Sequence, residues 1–100
     1  MVRSQIDIPE DKIADFCRRN NIRKLSLFGS VLRDDFGPES DVDVLVEFEP
    51  GRTPGLAYFA IQEELSEILK RPVDLSTSGW LSRYFRDQVI REQVSIYVEA

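Results

Sequence analysis

LSLFGSVLRDDFGPESDVDVLVEF, residues 25–48, is the stretch of sequence that decides the fold. The residues from Lys24, just before this stretch, to Phe28 predict a short strand that Gly29 ends. The end of the stretch, from Asp41 to Phe48, predicts the clearest strand of the chain, because valines recur there at the period of two typical of a pleated strand. Two strands joined by a short helix and a turn therefore form the centre of the predicted fold.

Helices and strands alternate on both sides of this stretch. We predict a first helix with Pro9 at its first position, a short helix from Ser30 to about Asp35, helices over Leu56–Leu69 and Leu81–Gln93, and strands over Pro72–Leu75 and Ser95–Val98. The order α-β-α-β-α-β-α-β predicts an α/β fold, a small mixed β-sheet flanked by helices. A length of 100 residues is enough for one domain, which we expect to span residues 1–100.

The composition excludes several classes of site. The chain has no histidine, which removes histidine general bases, Ser–His triads and the usual zinc sites. The single cysteine, Cys17, excludes an intrachain disulfide and is expected to be a buried apolar residue on the first helix. Acid–base or metal chemistry must therefore use carboxylates.

Charge and hydropathy limit the partners and the location. The net charge of −5 argues against an extended nucleic-acid-binding surface, which needs clustered Lys and Arg. The N-terminal residues do not resemble a signal peptide, and no apolar run approaches the roughly 20 residues that span a bilayer. We therefore expect a cytoplasmic protein without membrane contact.

Asp41 and Asp43 are the first candidate site residues. Two residues apart on a strand, their side chains leave the same face, with Cβ atoms roughly 6–7 Å apart. Such a pair can share Mg²⁺, which takes carboxylates, waters and substrate phosphates as ligands. The alternative is an exposed polar strand face. However, the strand is otherwise largely apolar, and an acidic pair there needs a compensating partner such as a metal.

Gly29 and Ser30 are candidates for binding phosphate. They lie where a strand meets a helix, so the backbone can turn sharply and the free amides of the helix can face an anion. The alternative is an ordinary turn and helix cap. Arg33, three residues after Ser30, is predicted on the same helix face, where it reaches a phosphate or an aspartate; pairing with Asp34 or Asp35 is the alternative.

Asp74 is the third candidate carboxylate. It lies between Val73 and Leu75, whose side chains face the other way. If its strand lies beside the Asp41–Phe48 strand, Asp74 joins the same acidic face. Three carboxylates, two Mg²⁺ ions and a triphosphate would then come close to charge balance, as in two-metal phosphoryl transfer.

Together these residues carry a family resemblance. Gly29-Ser30, ten intervening residues and Asp41-Val42-Asp43 resemble the signature of the nucleotidyltransferase superfamily that includes DNA polymerase beta. The closest resemblance is to its minimal nucleotidyltransferases, the MNT proteins, which are about this size. The resemblance covers essentially the whole chain, with the specific motif in residues 25–48, and implies a fold like the polymerase beta palm.

The resemblance also implies roles for the candidate residues. Asp41 and Asp43 match the metal-binding catalytic pair, and Gly29 and Ser30 match the pair that binds the nucleoside triphosphate. Asp74 matches the later, third carboxylate. Arg33 matches a position that is often basic, although many relatives have Arg-Gly where this chain has Arg33-Asp34.

The function implied by the resemblance is that of an antitoxin. MNT proteins are typically paired with a helical HEPN toxin, and the MNT protein neutralises it by transferring AMP from ATP to a tyrosine of the toxin. ATP is favoured only through this resemblance. An alternative is a non-catalytic antitoxin that inhibits by complex formation, for which Trp80, Tyr84 and Phe85 are a candidate surface unless they pack in the core. Nucleotidylation of a small molecule is disfavoured, because those relatives carry an extra acceptor-binding domain.

Overall fold

The computed structural model describes residues 6–33, 37, 40–77 and 83–99, without the side chains of Arg83 and Tyr84. Helices and strands alternate through these residues as the sequence predicts. The elements are α1 (Glu10–Arg19), β1 (Ile22–Phe28), a 3-10 helix (Gly29–Leu32), β2 (Val42–Phe48), α2 (Ala57–Leu69), β3 (Val73–Ser76), α3 (Arg83–Glu92) and β4 (Val94–Val98).

The four strands form one mixed sheet in the order β3-β2-β1-β4. β1 pairs antiparallel with both β2 and β4, whereas β2 and β3 are parallel. The α/β fold with a small mixed sheet is therefore confirmed. β2 is an inner strand, and its pairing places Phe28 opposite Asp43 on one side and Asp74 opposite Asp43 on the other.

The main core lies between one face of the sheet and helices α1 and α2. Alternate residues of β1 and β2 point into it, including Leu25, Leu27 and Val44, each fully buried. They meet apolar side chains spaced three to four residues apart on the helices: Ile13, Phe16, Cys17, Ile61, Leu65 and Leu69. Cys17 is buried as predicted, and burial raises the pKa of its thiol to about 12.

The opposite face is covered only in part, by α3. Phe28, Leu45 and Val89 form a small second cluster there. Phe85 of α3 packs edge-on against Phe28, with ring centroids 6.3 Å apart. The side chain of Asp43, near the N-terminal end of β2, lies on this face.

The structure corrects two local predictions. Pro9 is the N-cap of α1, so the helix begins one residue later, at Glu10. The predicted helix from Ser30 is a single 3-10 turn that ends at Leu32, because Gly29 starts it at φ +77° and Arg33 is already extended at φ −122°, ψ 166°. Arg33 therefore does not share an α-helical face with Ser30. Asp34, Asp35, Trp80 and Leu81 lie outside the described residues.

Candidate functional site

The three predicted aspartates meet at one edge of the sheet. Asp41 directly precedes β2, Asp43 is its second residue, and Asp74 lies opposite Asp43 in β3. Their apolar neighbours Val42 and Val73 are buried, so Asp43 and Asp74 share the face away from the main core. We call Asp41, Asp43 and Asp74 the acidic edge. The strand adjacency that Asp74 required is present, while its role stays a prediction.

The surroundings of Asp43 disfavour its ionised form. Its burial raises its pKa most, followed by the charges of Asp74 and Asp41. Arg33 and a hydrogen bond from the backbone N–H of Ser30 act in the opposite direction. The charges of Asp41 and Asp74 thus lie close enough to Asp43 to disfavour its ionised form, and a cation bound beside Asp43 would relieve that repulsion.

Two features favour glycine at position 29, namely the backbone conformation of the turn and the close approach of Asp43. The φ of Gly29, +77°, is in the left-handed region, which disfavours other residues. A Cβ at this position would overlap Oδ2 of Asp43 and lie 3.1 Å from its Cγ. The sequence predicts a glycine here for a sharp turn and for ligand approach. The structure adds that a side chain at this position would displace the carboxylate of Asp43 from the place that it occupies here.

Arg33 lies beside the acidic edge, half-exposed. Its Nη2 is 3.7 Å from Oε1 of Glu92, the last residue of α3. A cleft of about 360 Å³ opens at this point, lined by Gly29, Leu32, Arg33, Glu92 and Val94. Arg33 is thus close enough to Asp43 to lower its pKa and is next to a cleft that can admit a ligand.

The loop before Asp41 is fixed by hydrogen bonds. Ser40 Oγ accepts a hydrogen bond from the backbone N–H of Gly37 at 3.0 Å. Arg71 Nη2 donates to the carbonyl oxygens of Gly37, at 2.6 Å, and Ser40, at 3.0 Å. Sequence reasoning missed Arg71, because no local pattern links it to a loop more than 30 residues away.

Strand β3, which carries Asp74, is held along its outer edge by side chains of α2. Gln62 Oε1 accepts from the N–H of Leu75 at 2.9 Å, and Ser66 Oγ accepts from the N–H of Val73 at 3.1 Å. Tyr58 donates its hydroxyl to the carbonyl of Leu75 at 2.6 Å. Burial and the charge of Asp74 raise the pKa of Tyr58 to about 12, so this donor stays protonated. The sequence pattern identified α2 only as a packing helix.

The acidic edge fits a metal ion whose remaining ligands come from a substrate. Among the described residues, no group of three His, Cys, Asp or Glu side chains could hold a metal ion by itself. Mg²⁺ is usually bound through one or two carboxylates plus waters and substrate phosphates, so it does not require such a cage. The hard oxygen donors and the raised pKa of Asp43 both suit this kind of site.

Comparison with known proteins gives a consistent family. Residues 10–98 match the family model described as the nucleotidyltransferase domain. The protein adenylyltransferase MntA of Thermococcus cleftensis is 35% identical over 79 residues, which cover 78% of this chain and 78% of that protein. The match extends through all the elements that build the acidic edge.

Solved structures show the same fold. A protein assigned as a minimal nucleotidyltransferase is 31% identical, with a TM-score of 0.72 over 92% of this chain and 98% of the other. A complex of a tri-AMPylated HEPN toxin with its MNT antitoxin, from Shewanella oneidensis, contains a chain that is 24% identical. Its TM-score is 0.63, over 89% of this chain and 69% of that one.

Within the described ranges, no helix has the length and apolarity needed to cross a membrane.

Proposed function

The chain belongs to the nucleotidyltransferase domain family, and on that premise we propose that it is a Mg²⁺-dependent protein adenylyltransferase acting as an antitoxin. It transfers AMP from ATP to a tyrosine of a HEPN toxin partner and thereby neutralises the toxin. The observation that carries the proposal is the parallel pairing of Asp43 with Asp74 beside Gly29-Ser30, which assembles the acidic edge at the end of β1. The similarity to MntA and to the MNT antitoxin of a HEPN complex supports the choice of partner.

In this mechanism the acidic edge would hold Mg²⁺, which when bound supplies positive charge that neutralises the triphosphate. The N–H of Ser30 already bonds to Asp43, so the Ser30 hydroxyl is the group left to bind a phosphate oxygen. Arg33 reaches the triphosphate from the neighbouring cleft by exchanging Glu92 for a phosphate.

The reaction forms one bond and breaks one. The tyrosine oxygen bonds to the α-phosphorus, the bond between the α-phosphorus and the bridging oxygen breaks, and pyrophosphate leaves. The tyrosine proton passes to a carboxylate of the acidic edge. Asp74 is best placed to receive it, because its side chain is exposed on the sheet face that also carries Asp43.

Labelling of the partner tests this proposal. Incubated with α-labelled ATP, Mg²⁺ and its proposed HEPN partner, the wild-type chain is expected to label the HEPN protein on tyrosine. Asp41→Asn plus Asp43→Asn should abolish the label. The matched control, Glu63→Gln plus Glu67→Gln, removes two exposed carboxylates of α2 and should leave labelling unchanged. Labelling that survives the double aspartate substitution would reject the site.

A second candidate function, inhibition by complex formation alone, is favoured by an exposed apolar surface. At the start of α2, Leu56 is 90% exposed and Phe59 is 66% exposed, more than expected of large apolar residues without a partner. Phe85, which the sequence suggested for such a surface, packs edge-on against Phe28 and is 44% exposed. Cells protected from the toxin by the Asp41→Asn plus Asp43→Asn variant would favour this second function.

A further inference from the structure

We propose that Arg71 is a positioning residue that sets the place of Asp41 at the acidic edge. Arg71 lies in the turn between α2 and β3, outside the family motif of residues 25–48. The inference rests on the proposed function in one respect, namely that Asp41 helps to bind Mg²⁺ and nucleotide. Its structural basis is the way in which both backbone neighbours of Asp41 are fastened to the turn that contains Arg71.

The residue before Asp41 is held by the Arg71 side chain. One guanidinium nitrogen, Nη2, donates both to the carbonyl of Ser40, at 3.0 Å, and to the carbonyl of Gly37, at 2.6 Å. The N–H of Ser40 also donates to the Gly37 carbonyl at 3.1 Å, and Ser40 Oγ accepts from the Gly37 N–H. The guanidinium thus joins the backbone carbonyls of Gly37 and Ser40 immediately before the first carboxylate.

The residue after Asp41 is held by the backbone of the same turn. The N–H of Val42 donates to the carbonyl of Pro72 at 2.8 Å. Asp41 therefore lies between two attachments, one to Arg71 and one to the residue that follows it. Asp41 itself is exposed and precedes the first residue of β2, so sheet pairing does not fix it.

Arg71 is itself held in place. The backbone N–H of Arg71 donates to the carbonyl of Ser66 at 3.2 Å. This bond lies across the end of α2, where Lys70 adopts the left-handed conformation at φ 57°. The guanidinium is anchored on a helix end that packs in the main core through Leu65 and Leu69. A helix end that packs in the core thereby holds the backbone beside Asp41, and this kind of support is what precise metal geometry needs.

The physical consequence concerns binding more than folding. Hydrogen bonds from a charged donor are stronger than those between neutral groups, and a lysine cannot reproduce the planar fork of arginine. Without them, Asp41 samples more positions, and groups that orient metal ligands typically change metal affinity by about 10–100-fold when lost. The main core does not include Arg71, so we expect the loss of the guanidinium to leave the fold intact.

A double-mutant cycle tests this proposal. Calorimetry measures the binding of AMP-PNP with Mg²⁺ to wild type, Arg71→Met, Arg71→Lys, Asp41→Asn and the Arg71→Met/Asp41→Asn pair. We expect Arg71→Met to weaken binding about tenfold, Arg71→Lys to recover part of the loss, and Arg71→Met to add less than about twofold in the Asp41→Asn background. The matched control, Arg52→Met, changes an exposed arginine in the loop beyond the other end of β2 and should bind like wild type.

The cycle separates positioning from a merely structural role. Equal losses from Arg71→Met with and without Asp41, or unchanged binding, would overturn the positioning role. If Arg71→Met does not fold, Arg71→Lys carries the same cycle with a smaller expected loss. The measurement requires no partner and no transfer. A wild type that binds AMP-PNP with Mg²⁺ but labels no HEPN protein would overturn the proposed function and leave the role of Arg71 intact, whereas a wild type without binding would overturn both.

Discussion

The two faces of the sheet differ in whether the surroundings of their side chains stabilise the fold. On the face toward α1 and α2, Leu25, Leu27 and Val44 are fully buried among other apolar side chains. On the face toward α3, the same strands carry Asp43, with an unfavourably raised pKa, and Ser26, which is only 1% exposed. Within the described part of the chain, Ser26 Oγ has no hydrogen-bond partner.

This contrast shows how one strand serves two purposes. The period of two in β2 sends its valines into the main core and sends Asp43 to the opposite face. Apolar burial on the first face stabilises the fold and offsets the polar and like-charged groups on the second. Stability and the candidate site are thus divided between the faces, and three measurements can break or sharpen that division.

The largest expected effect is on the core face. Leu27→Ala should lower the free energy of unfolding by about 2–5 kcal/mol, because it removes buried apolar surface and leaves a cavity. Urea denaturation followed by circular dichroism measures the change. Leu56→Ala, the same substitution at a position that is 90% exposed, is the control and should change stability by no more than about 0.5 kcal/mol. Equal losses in the two variants would contradict the division between the faces.

The next effect is a pH dependence that comes from Asp43. Because the folded-state pKa of Asp43 lies above its unfolded value, the folded chain binds this proton more readily, and stability falls as pH rises through the folded pKa. In the absence of metal, lowering the pH should therefore remove a destabilising contribution of Asp43. Wild type and Asp43→Asn are compared by urea denaturation between about pH 4 and pH 8.

The difference between these two proteins isolates Asp43 from the other titrating groups. Asp43→Asn should be the more stable of the two at neutral pH, and its advantage should shrink toward acidic pH. Mg²⁺ with a triphosphate should reduce the advantage, because bound ligand stabilises the wild-type folded state. An advantage that grows as pH falls would show that Asp43 is stabilised, not destabilised, by its surroundings.

The smallest expected effect is at Ser26. Burying a hydroxyl without a hydrogen bond costs about 1–3 kcal/mol, so Ser26→Ala should preserve stability or raise it by about 1 kcal/mol despite the full burial of this position. Ser95, its exposed partner on β4, is the control, and Ser95→Ala should change stability by no more than about 0.5 kcal/mol. A clear loss at Ser26 alone would mean that its hydroxyl has a stabilising partner.

The sequence predicted those features that depend on local periodicity and spacing. The alternation in β2, the helical spacing in α1 and α2 and the order of elements agree with the structure to within one or two residues for most elements. Asp43 and Asp74 face the same way because strand geometry fixes the side-chain direction once the strands pair. Gly29 and Ser30 lie at a junction that the glycine itself reveals.

The features that the sequence did not predict depend on contacts between distant segments. The 3-10 turn ends at Leu32 and moves Arg33 off the helix face, although the sequence around it is compatible with an α-helix. Arg71 and Glu92 reach the site from other elements, with no nearby pattern to mark them. The exposure of Leu56 and Phe59 depends likewise on what the rest of the chain leaves uncovered.

The close approach of Gly29 to Asp43 has a consequence for how the two positions vary in evolution. Because a Cβ at position 29 would occupy the space of the carboxylate, the two positions are not free to vary independently. A relative that first acquires a side chain at position 29 would displace the carboxylate at position 43. A relative that first loses the carboxylate at position 43 removes the steric clash with a side chain at position 29. What then remains is the left-handed backbone at φ +77°, which asparagine also tolerates. In relatives that have lost catalytic activity, we therefore expect Asp43 to be substituted before Gly29.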